Sequence, residues 1–108
     1  MGEIIVSRDE HNRILGLTGQ GIDSDTPTGD AALRFLQASV SAMIDYLHLA
    51  PDYALVGSEM HLSIDRSAPH LNREIDAIME TLVIGLTQLA VEDAQDLVVH
   101  EATAGIRV

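Results

Sequence analysis

Apolar and β-branched residues are concentrated in residues 3–8 and again in 13–19, with the polar stretch Asp9-Glu10-His11-Asn12 between them. That pattern predicts a β-hairpin whose turn places Asn12 at positive φ. Residues 20–29 collect turn formers and acids and predict a loop. The period then becomes helical from about Asp30 to His48, where Leu33, Leu36, Val40, Met43, Ile44 and Leu47 form one stripe. Asp30 or Thr28 is the expected cap, and Pro51 ends the segment. Residues 53–65 read as extended, with Ala54, Val56, Met60, Leu62 and Ile64 on one face and Glu59, His61, Ser63 and Asp65 on the other. The run is longer than a mean strand of about 5–6 residues, so Gly57-Ser58 is expected to bend, bulge or turn it. A second helix is expected from Pro69 to Glu92, with Ser67 as N-cap and Leu71, Ile75, Ile78, Leu82, Val83, Leu86 and Leu89 buried. A last strand covers Asp96 to Ala102. The order β-β-α-β(-β)-α-β implies a single α/β (α+β) domain over residues 1–108. Its architecture is a two-layer sandwich, a mixed sheet with two helices on one face.

Composition changes this picture in two ways. The chain has 108 residues and only three aromatics, Phe35, Tyr46 and Tyr53, so its core must be aliphatic. It carries 17 acidic residues against six basic ones, all arginine, for a net charge of −11. Phosphate contact needs a basic surface, so nucleic acid and anionic membrane are excluded as partners. An acidic surface suits a basic partner, and it also serves solubility. No basic leader and no long apolar run is present, which sets the expected location as cytoplasmic.

Four segments carry a family resemblance. They are Ile4-Ile5-Val6-Ser7-Arg8-Asp9 with Arg13-Ile14-Leu15-Gly16-Leu17-Thr18-Gly19, then Ala38-Ser39-Val40-Ser41-Ala42, then Leu82-Val83-Ile84-Gly85-Leu86, and Asp96-Leu97-Val98-Val99-His100. Together they resemble the bacterial ribosomal-processing cysteine proteases, which trim an N-terminal extension from a large-subunit ribosomal protein and work as homodimers. In that family a Gly-His pair closes the second strand, a loop follows, and Cys-Ala-Ala-Val-Ser-Ala opens a helix. Here Gly19-Gln20 and Gln37-Ala38-Ser39-Val40-Ser41-Ala42 stand at those places, so Gln20 and Gln37 occupy the base and nucleophile positions. Setting Asp30 against the family's helix-opening Asp would place Leu33 there instead. Neither register supplies a thiol, and the chain contains no cysteine. A glutamine amide donates and accepts hydrogen bonds but is neither thiolate nor base. Thiol protease chemistry is therefore excluded. If the helix starts early, Gln37 lies inside it, away from the free N–H groups of its first turn.

The resemblance implies a non-catalytic, dimeric binding or regulatory protein, with Gln20, Gly21, Arg34, Gln37 and Ser41 as its binding residues. A basic peptide or ribosomal protein is the implied partner. Two rivals stand beside it. One is a hydrolase with chemistry relocated to Ser39, Ser41 or a histidine; the other is a scaffold whose partner is itself. No G-x-S-x-G elbow and no H-E-x-x-H motif is present, and no metal or other cofactor is expected. Glu59, His61 and His100 are the one weak metal constellation, if the two strands are neighbours. Arg34 is placed to pin the acidic loop through Asp23 or Asp25. The dimer contact is expected from strand residues, Val6, Leu15, Leu17 and part of 53–65, as apolar surface beyond what one helical layer covers, with edge-to-edge pairing as the alternative geometry.

Overall fold

The computed structural model describes residues 2–103. Strands β1 (Gly2–Arg8) and β2 (Ile14–Gln20) form the first hairpin. Its turn closes on Asp9, whose carboxylate accepts from the backbone N–H of His11 and Arg13 and from the Arg13 side chain, with Asn12 at φ 65°. Helix α1 (Pro27–Ser41) continues as a π-helical turn, Ala42–Tyr46, and the chain reverses at His48, φ 58°. Strands β3 (Asp52–Val56) and β4 (Glu59–Ser63) make a second hairpin. A 3-10 turn, Pro69–Leu71, leads into α2 (Asn72–Glu92), and β5 (Leu97–Thr103) completes the sheet.

The strand order is β3-β4-β2-β1-β5, antiparallel except where β1 meets β5 in parallel. The crossover β2-α1-β3 steps one way across the sheet. The crossover β4-α2-β5 steps the other way from a strand of opposite direction. Right-handed connections then put both helices on one face. Alternation agrees: Ile4, Val6, Leu17, Met60, Leu62 and Leu97 are buried beneath Leu36, Met43, Ile75, Met79, Leu82 and Leu86. The expected two-layer mixed sandwich is the observed one.

Several local expectations are corrected. Helix α1 begins at Pro27, and its cap is Thr26, not Asp30 or Thr28. Thr26 is extended (φ −94°, ψ 149°), as a residue before proline prefers, and its Oγ1 accepts from the Gly29 N–H at 3.0 Å. Ser67 caps nothing; it bonds to Asp65, and α2 opens from Leu71 without a side-chain cap. The Gly57-Ser58 turn is tight, with Gly57 at φ 62°. That turn reverses the chain, so Tyr53 and Leu55 face the helices beside Leu62 and Met60. Ala54 and Val56 lie on the outer face instead, Val56 71% exposed. Val6 and Leu17 are 0% and 2% exposed beneath the helices, so they are not surface for a dimer.

Candidate functional site

The five expected binding residues fall in three places. Gln20, at the exposed end of β2, lines a shallow depression on the uncovered sheet face with Thr18, Ala54, Val56, Glu59 and His61. Gly21 follows at φ 67°. Gln37 and Ser41 lie one turn apart on α1 and line a groove of about 320 Å³ with Leu36, Val40, Tyr53 and Leu55. Arg34 donates to Asp30 one turn back at 2.9 Å rather than to Asp23 or Asp25. The acidic loop holds itself instead: Asp23 accepts from Asp25 N, and its carbonyl accepts from Thr26 N and Oγ1.

Gln20 and Gln37 line different depressions, and Gln37 sits in the third turn of α1, away from its free N–H groups. The residues that open α1 are Thr26, Pro27, Thr28 and Gly29, a start the loop-like composition hid. No thiol is among them, and both hydroxyls are committed. Thr26 Oγ1 donates to Asp23 O at 2.9 Å, and Thr28 Oγ1 donates to Asp93 Oδ2 at 2.8 Å. Gly29 packs so closely that a Cβ there would stand 1.8 Å from the Asp23 carbonyl oxygen. Charge at this opening is negative. A hydrogen bond and repulsion from Asp93 raise the Asp96 carboxyl above its usual range. A thiolate beside that pair would be disfavoured by like charge.

The relocated-hydrolase reading fares no better. Ser39 Oγ donates to the Phe35 carbonyl at 2.9 Å, the back-bond of a helical serine. No serine–histidine hydrogen bond exists among the described residues. His61 Nε2 lies 3.4 Å from Asp52, and His100 Nε2 lies 3.4 Å from Glu3. Strands β4 and β5 are separated by β2 and β1, roughly 14 Å of sheet, so Glu59 and His61 do not meet His100. No cluster of three or more metal-ligating side chains occurs among the described residues, and no described helix is long and apolar enough to cross a membrane.

Arg8 and Arg66 are committed to structure. Arg8 forks onto Glu80 at 2.6 and 3.1 Å, bonds Glu101 at 2.9 Å and donates to the Asn12 carbonyl. The Glu80 hydrogen bond leads in raising the Arg8 pKa further above its ordinary value, and Arg8 in turn holds the Glu80 carboxyl below its range. Arg66 caps the Ile14 carbonyl and lies 2.8 Å from Asp76 Oδ1, at an angle that makes the contact an ion pair and not a hydrogen bond.

By sequence, no family model and no curated protein matches this chain. Solved structures do. The ribosomal processing protease Prp from S. aureus, with a covalently linked product peptide, superposes with TM-score 0.81 at 19% identity, covering 94% of this chain and 100% of that one. The same enzyme with a substrate peptide gives 0.81 at 18%, covering 94% and 100%. SMU.848 from Streptococcus mutans gives 0.83 at 14%, covering 95% of each chain. At such identities the likeness is one of fold. The chain has the fold of the ribosomal processing protease Prp and contains no cysteine.

Proposed function

We propose that this protein is a non-catalytic homologue of the ribosomal-processing proteases that binds a basic polypeptide segment, such as one from a ribosomal protein, without cutting it. The observation that carries the reading is a Prp fold whose first helix opens with no thiol and with both of its hydroxyls already bonded. Two structures of that fold hold a product peptide and a substrate peptide, so a peptide ligand is in keeping with it. Charge argues the sign of the ligand. Arg8, Arg13, Arg34 and Arg66 are each ion-paired, and the large surplus of carboxylates favours lysine and arginine on a partner.

In this reading the protein is a two-fold dimer joined through the sheet face that no helix covers. Ile5 and Val98 are half-buried there and Val56 is exposed. The contact should bury at least about 1,000 Å² in total. The test pairs calorimetry with mass spectrometry, using a synthetic peptide that copies the N-terminal extension of a large-subunit ribosomal protein. Binding with the peptide intact is expected, and cleavage by the wild-type chain overturns the proposal. Light scattering giving a mass near 11.6 kDa would refute the dimer.

A further inference from the structure

Strand β3 is an edge, and its free side is defined by its turn. A two-residue turn makes Val56 and Glu59 the pair that exchanges both hydrogen bonds. Alternation then turns Ala54 and Asp52 inward to β4 and leaves Tyr53 and Leu55 as non-bonded pairs with Leu62 and Met60. The N–H and C=O groups of Tyr53 and Leu55 therefore point away from the sheet. Their side chains face the groove whose other wall is Leu36, Gln37, Val40 and Ser41. An open ladder and a half-apolar groove lie side by side.

The ends of this edge are not electrically alike. Helix α1 runs antiparallel to β3, so its C-terminal end lies by the start of the strand. Asp45 lies four residues beyond Ser41, exposed, in the π-helical turn that continues α1. Asp52, its side chain 80% exposed, opens β3 on the other side of the sheet. Exposed carboxylates thus stand near this end of the edge, on α1's continuation and at the start of β3, and no arginine lines the groove. Tyr53 is 47% exposed at its rim, although aromatic side chains are scarce in this chain and would ordinarily fill a core.

Resting on the binding reading above, we propose that the ligand segment adds to the sheet as a sixth strand along β3. Its backbone pairs with Tyr53 and Leu55, alternate apolar side chains enter the Gln37–Ser41 groove, and a basic side chain reaches Asp45 or Asp52. Strand addition supplies affinity through main-chain bonds and specificity through every second side chain. A second copy of this chain is the poorer occupant of this edge, because its own β3 carries no lysine or arginine to meet Asp45 or Asp52.

The probe is a short acetylated peptide alternating lysine and valine, titrated calorimetrically into the full chain. The controls are a glutamate–valine peptide and a lysine–valine peptide N-methylated at every second residue. The parent peptide should bind, and both controls should lose at least about tenfold in affinity. Tyr53→Pro removes an outward N–H together with the aromatic ring at the rim, so it should weaken binding by at least that factor, and beyond Tyr53→Ala, while leaving the ladder bonds to β4 in place. Asp45→Asn with Asp52→Asn should weaken binding and flatten its salt dependence. Parent and N-methylated peptides binding equally to the wild-type chain would overturn strand addition and leave the binding reading standing. No binding of any basic peptide would overturn both.

Discussion

The two edge strands of the sheet, β5 and β3, are held in place differently. At one edge β5 lies parallel to β1 over the full length of both strands, and Arg8 ties β1 to α2 through Glu80 and to β5 through Glu101. The Arg8 side chain is 10% exposed. At the other edge β3 is five residues, nearly all exposed, attached by a hairpin to β4 alone. The difference teaches where this protein puts its few cations. Arg8 sits where one fork reaches two carboxylates, whereas β3 carries Asp52 and no arginine, which is why the binding proposal is placed on that edge.

The sharpest way to break this contrast is to remove the fork. Arg8→Met should lower unfolding free energy by about 3 kcal/mol, because Glu80 and Glu101 lose a charged partner together. Urea denaturation measures it, and a loss below about 1 kcal/mol would mean that other contacts hold β5 to the domain. The inward-facing N–H of Ala54 gives the next effect. Ala54→Pro removes a ladder bond and should cost roughly 2–3 kcal/mol, whereas Tyr53→Pro should cost under about 1 kcal/mol. Equal losses would mean that the assigned inward and outward positions are wrong.

The third effect is pH-dependent. Glu80 is held below its ordinary value by Arg8, so its folded pKa lies under its unfolded one, about 4.3. Its contribution is present above the unfolded pKa and is lost as pH falls through the folded one. Acid unfolding of Glu80→Gln should therefore be shallower over that window. A variant whose acid limb matches the wild type would detach Glu80 from the network. The smallest effect belongs to the β3 edge: Tyr53→Ala should change stability by less than about 1 kcal/mol, read from the melt, while weakening peptide binding.

Much of the fold is legible in the chain. Hydrophobic period separates strands from helices, Asn12 marks the first turn, and Gly57-Ser58 marks the second. Gln37 is expected inside the helix and lies there. The candidate site is less legible. Thr26-Pro27 reads equally as loop or as helix start, and only the hydrogen bond to Gly29 decides between them. The alternation of Ala54, Val56, Met60 and Leu62 suggests one face, but a two-residue turn exchanges which side chains point inward. His61 and His100 look like strand neighbours in chain order, yet two strands stand between them.

Composition alone settled that this chain has no thiol and carries −11 charges, since both are sums over residues that folding cannot change. Periodicity settled the elements, because helix and strand set different spacings for a buried face. Tertiary structure decided which edge strand Arg8 ties down, which hydroxyls are bonded, and that Gln20 and Gln37 line separate depressions. Those are relations between residues distant in the chain, set by strand order, register and helix start, and no local pattern encodes them.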